Sequence, residues 1–150
     1  MDKDDVVDIL NDLIETSKDG EYGFRTSAER VQSPELRARL QSRATACAAA
    51  AAELQTLVVQ YGGEPEDDGT AMGAMHRGWV AVKAAMSTSA REDHAVLAEC
   101  ERGEDKAVAS YRKAMKEPLP ADVLAVVQRQ AQGAQTNHDE IKALRDSVGA

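Results

Sequence analysis

The 150-residue sequence predicts an all-α protein, an up-down-down-up bundle of four long helices. Three observations carry that prediction. Alanine is abundant while aromatic residues make up only 3%, a balance that suits closely packed helices and denies a sheet the side chains it needs. The four prolines, Pro34, Pro65, Pro118 and Pro120, leave long stretches free of helix breakers. Each stretch carries apolar residues at three-four spacing.

The elements follow from the punctuation. A first helix spans 4–31. Ser33-Pro34-Glu35 reads as N-cap, first turn and dipole-friendly acid, opening a second helix over 34–62. Tyr61-Gly62-Gly63 closes it, and an acidic, turn-rich loop follows from Glu64 to Gly69. Ser89-Ala90-Arg91-Glu92 is a capping box for a third helix over 90–116, and Leu119-Pro120-Ala121-Asp122 opens a fourth over 121–147. The short gaps make two antiparallel hairpins. The second and third helices are joined by a long crossover with a helical stretch of its own, Met72 to Met86, which puts Trp79 and Val82 on one face. One long crossover between two hairpins is the ferritin-like connection.

Composition bounds the function by exclusion. Hydrophobic residues at 43% and charged residues at 29% describe a soluble globular chain, expected to form a single domain over 1–150. A net charge of −8 argues against a nucleic-acid partner. No apolar run predicts a membrane span, and no signal segment opens the chain. Cys47 and Cys100 form no metal-knuckle spacing and read as buried, reduced thiols of a cytoplasmic protein. No phosphate loop, dinucleotide loop or nucleophile elbow is present.

The apolar stripes are interrupted, and the interruptions line up at mid-helix. The first stripe breaks at Ser17 and Glu21, the third at Glu101 and Glu104, the fourth at Gln135 and His138. Buried carboxylates are costly unless paired, protonated or bound to a cation, so the layer predicts a site. Glu21, Glu101, Glu104 and His138 are candidate metal ligands, with Gln135 a weak ligand or a donor behind them. Carboxylate and imidazole favour iron, manganese or zinc. The second helix offers Cys47, Ala50 and Ala51 at that level, so half of a two-metal site is missing. The other reading is a Glu–His–Gln–Ser network that satisfies itself by hydrogen bonds and holds no metal. His94 reads as a solvated residue at a helix start, and His76 as part of a packed crossover. Ala44 to Ala52 is a close-packing surface for a neighbouring helix or a second copy of the chain.

Three stretches carry a family resemblance: Leu10 to Glu15 with Asp19 to Phe24, the crossover Gly62-Gly63-Glu64-Pro65 to His76-Arg77-Gly78-Trp79, and Glu99-Cys100-Glu101-Arg102-Gly103-Glu104. Through them the sequence resembles a bacterial family classed as a domain of unknown function and described as ferritin-like four-helix-bundle proteins. The resemblance implies that fold, a bacterial source and an association with stress physiology. It extends distantly to rubrerythrins and ferritins, whose first-helix ligand is matched by Glu21, third-helix ligand by Glu104, and fourth-helix Glu-x-x-His by Gln135 and His138. The second-helix pair falls on Cys47 and Ala50, which departs from the pattern of a ferroxidase centre. The expected function is therefore metal, chiefly iron, handling or sensing at a degenerate mid-bundle site. The alternative is a dimeric, partner-binding module without metal, and an iron-dependent oxidase or peroxidase is the enzymatic version.

Overall fold

A computed structural model describes residues 1–67 and 89–148. Among them lie four α-helices and no strand: α1 Lys3–Arg30, α2 Pro34–Gln60, α3 Ser89–Met115 and α4 Ala121–Val148. These bounds agree with the sequence expectation to within two residues, as far as helix ends are defined. The helical stretch expected at Met72 to Met86, with His76 and Trp79, lies outside the described residues, as does the side chain of Ser89.

The ends form where local chemistry dictates. Asp2 caps α1, its carboxylate accepting from the Asp5 backbone N–H at 2.9 Å. Ser33 caps α2 in the same way, accepting from Leu36 N–H at 3.3 Å, with Pro34 in the first turn. At the far end of α2, Gly62 takes a φ of 80° and the Gly63 N–H bonds back to the Val58 carbonyl at 2.9 Å. The turn between α1 and α2 is tied to α3 by Asp93. This buried carboxylate accepts from the backbone N–H groups of Gln32 at 2.7 Å and Ser33 at 3.4 Å.

Cross-helix contacts fix the topology. Thr16 of α1 meets Ser110 of α3, and Ser27 meets Cys100, so α1 and α3 run antiparallel. Glu53 of α2 meets Arg129 and Gln130 of α4. With the two hairpins, the order is up, down, down, up.

The core is divided. One apolar cluster gathers Leu10, Leu13, Leu54, Val58, Tyr111 and Val127, and a second gathers Phe24, Leu40, Val96, Leu97, Cys100 and Ile141. Burying each large aliphatic side chain is worth about 1.5–3 kcal/mol, so both halves contribute to stability. Polar side chains lie between them.

The inward positions follow a seven-residue repeat. On α3 it runs Leu97, Cys100, Glu104, Tyr111 and Ala114, and on α4 Val123, Val127, Ala134 and Ile141, all buried. That spacing is 3.5 residues per turn, as in supercoiled helices, and not the straight-helix value of 3.6.

Candidate functional site

Two polar constellations occupy the middle of the bundle. The inner one centres on Glu104, which is 1% exposed. Arg43 of α2 donates from Nε to Glu104 Oε1 at 3.0 Å, and Asn137 of α4 donates to the same oxygen at 2.8 Å. Glu104 Oε2 is buried without a hydrogen-bond partner. The Arg43 guanidinium also lies over the Phe24 ring, 5.9 Å from its centroid.

A second chain of bonds runs beside it. Tyr111 donates to Gln130 at 2.8 Å, and Gln130 donates to Glu53, which pairs with Arg129. The two cysteines are protonated thiols: burial pushes Cys47 up to about 11 and Cys100 up to about 12. Cys100 donates to Ser27 Oγ at 3.3 Å.

The inner constellation does not fit a resident metal. Its one carboxylate already carries a fixed guanidinium on the same oxygen that Asn137 serves, and an added cation would be repelled by Arg43. Among the described residues, a two-metal centre has no donor set here.

The outer constellation has different chemistry. Glu101 and Asp105, four residues apart on α3, share a face with His138 of α4. One donor atom from each lies within 4.8 Å of the others. His138 Nε2 is 2.6 Å from Asp105 Oδ1, and its Nδ1 is 3.2 Å from Asp139 Oδ1. Hydrogen bonding to Asp139, opposed by partial burial and reinforced by Asp105, raises the His138 pKa above its ordinary value. Glu101 has a second claimant in the Arg145 guanidinium. Two carboxylates and one imidazole are a donor set suited to iron, manganese or zinc.

The five residues singled out from sequence thus fall in three places. Glu101 and His138 come together, joined by Asp105. Glu104 lies in the inner layer with Arg43 and Asn137. Glu21 is partly exposed on α1, bonded to Arg25 at 2.9 Å and near Lys18 at 3.8 Å. Gln135 donates to Asp139 at 3.0 Å, so it steadies the carboxylate that holds His138 Nδ1. Asp105 was legible as the i+4 partner of Glu101. Arg43 and Asn137 carried no comparable signal.

Comparison with known proteins gives the family and the fold. Residues 5–117 match the model of the family Domain of unknown function (DUF2383). The chain belongs to that family. The match spans α1, α2 and α3 and stops before α4, which supplies His138 and Asn137. Among solved structures, a mutant of Mycobacterium smegmatis Dps1 superposes with a TM-score of 0.75 at 17% identity, over 95% of this chain and 96% of that one. This likeness establishes the fold as a ferritin-like four-helix bundle. No curated protein matches the chain. Among the described residues, no helix is long and apolar enough to cross a membrane.

Proposed function

We propose that this DUF2383 protein handles or senses a divalent metal ion, iron foremost, in the bacterial cytoplasm under stress, through a single site on the α3–α4 seam. Glu101, Asp105 and His138 would hold the ion. The observation that carries the reading is the convergence of their three donor atoms within 4.8 Å from two different helices. Gln135 and Asp139 orient the imidazole from behind, an arrangement that lowers the cost of fixing a ligand. A bound ion would supply charge neutralisation between two carboxylates and a cross-link between α3 and α4. The inner Arg43–Glu104–Asn137 layer serves to hold helix register, with its charge already balanced.

Elemental analysis of protein purified without chelators or an affinity tag tests the reading. Bound iron, manganese or zinc near one equivalent supports it, provided that His138→Ala removes the metal. Protein that stays empty after reconstitution refutes it.

The second reading is a metal-free homodimer that packs through α2, where Ala49 and Ala52 are exposed. It predicts a dimer in sedimentation equilibrium that chelation leaves unchanged, and a monomer removes it.

A further inference from the structure

An open-sided cavity of about 910 Å³ lies in the bundle, separate in chemistry from the α3–α4 seam. Small residues of all four helices line it, Gly20, Ala50, Gly103 and Gly133 among them. The volume lies within the roughly 300–1,000 Å³ of small-molecule sites.

Two of these glycines have no packing reason to be glycine. A Cβ at Gly103 or Gly133 would meet nothing within 4 Å; at the exposed Gly133 that space is solvent, while Gly103 is half-buried at the cavity wall. Glycine inside a helix is destabilising relative to alanine, so the space left open at Gly103 points to an occupant. Gly20 is different, because a Cβ there would lie 2.9 Å from Cys47 Sγ, and close approach of α1 to α2 accounts for it.

The lining selects the occupant's chemistry. Four carboxylates and four cationic side chains line the cavity, so its charge is balanced and a net charge on the guest gains nothing. The interior is otherwise apolar or weakly polar, with Phe24, Ala50, Cys47, Cys100 and Ala107 on the wall. Glu104 also lines it, and Glu104 Oε2 lacks a partner. A buried carboxylate oxygen without a donor is unfavourable, and a donor that reaches it is rewarded. Oε2 is closed to a water-sized group in this conformation, so a hydroxyl bonds it once the Glu104 carboxylate turns toward the cavity.

We propose that this cavity binds a neutral amphipathic small molecule, an apolar body ending in a hydroxyl that donates to Glu104. The site is independent of metal binding at Glu101, Asp105 and His138.

Fluorescence titrations with 2-naphthol and its methyl ether, 2-methoxynaphthalene, test the proposal on the full chain. The two probes share shape and apolar area and differ in the donor. Wild type is expected to bind the alcohol about tenfold or more tightly than the ether, the range of a hydrogen bond to a charged group. Glu104→Gln should collapse that ratio, and Gly103→Leu should weaken both probes together by filling the space. Equal affinities for alcohol and ether, no binding of either, or a ratio unchanged in Glu104→Gln overturns the proposal. If Glu104→Gln does not fold, the wild-type ratio and the Gly103→Leu titration decide it.

Discussion

His138 Nε2 lies 2.6 Å from Asp105 Oδ1, across the seam between α3 and α4. The pair joins two helices of one hairpin at the level where the core changes from one apolar cluster to the other. Asp139, in turn bonded to Gln135, holds the other face of the imidazole. An imidazole held at both nitrogens by carboxylates is protonated more readily than a free one, and the same proton has to leave before Nε2 can bind a metal.

Metal binding is therefore expected to weaken as pH falls through the raised His138 pKa, which lies above the ordinary 6.5. Zinc affinity measured by calorimetry from pH 8 down to 5.5 should fall, with proton release on binding near and below that pKa. An affinity independent of pH over that range would contradict a role for His138 as ligand.

Without metal the sign reverses. A group whose folded pKa is raised adds stability that is fully present below its unfolded pKa and is lost as pH rises through the folded value. Chelated wild type should lose stability relative to His138→Gln as pH rises through the His138 pKa. Denaturant midpoints at pH 5.5 and 8.5 check this.

Arg145 competes with any ion for Glu101, since its guanidinium already bonds that carboxylate. Arg145→Gln should tighten metal binding by about two- to fivefold, the scale of a partly exposed ion pair. Weaker binding in the variant would show that Arg145 helps to shape the site.

Breaking the inner pair should be severe. Arg43→Leu leaves the Glu104 carboxylate buried beside Asn137 alone, and about 3–5 kcal/mol of stability should be lost. Arg43→Leu with Glu104→Leu should regain most of it. Urea denaturation of the single and double variants measures the difference, and additive losses would contradict a coupled pair.

The helix glycines separate by surroundings. Gly133→Ala should stabilise by about 0.5–1 kcal/mol, because the added methyl meets no neighbour. Gly20→Ala should not, since Cys47 Sγ stands 2.9 Å from the new Cβ and has to move. Melting temperatures of the two variants check the contrast.

The helices, the Ser33 cap and glycine end of α2, and the antiparallel pairing were legible because proline, glycine and serine act locally. The mid-bundle polar interruption was legible too, since Ser17 and Glu104 break apolar stripes that are otherwise continuous. Which polar residue turns inward was harder to read. Three-four spacing fixes positions seven apart and leaves the step between them open, so a stripe through Ser17 and Phe24 does not choose Glu21 over Gly20, which faces Cys47, and one that ends on Ile141 does not choose Gln135 and His138 over Ala134 and Asn137. Arg43 escaped for another reason. Its long stem carries the charge inward from the flank of α2, and a single sequence does not show which way such a stem turns.

The central claim is a metal site on the seam and none in the core, and zinc titration by calorimetry of three proteins tests it most directly. Wild type and Glu104→Gln should each bind one equivalent with similar affinity, while Asp105→Asn should lose binding by tenfold or more, on the order of the loss when a ligand is removed. Binding that survives in Asp105→Asn and disappears in Glu104→Gln would contradict the account, as would a wild type that binds nothing.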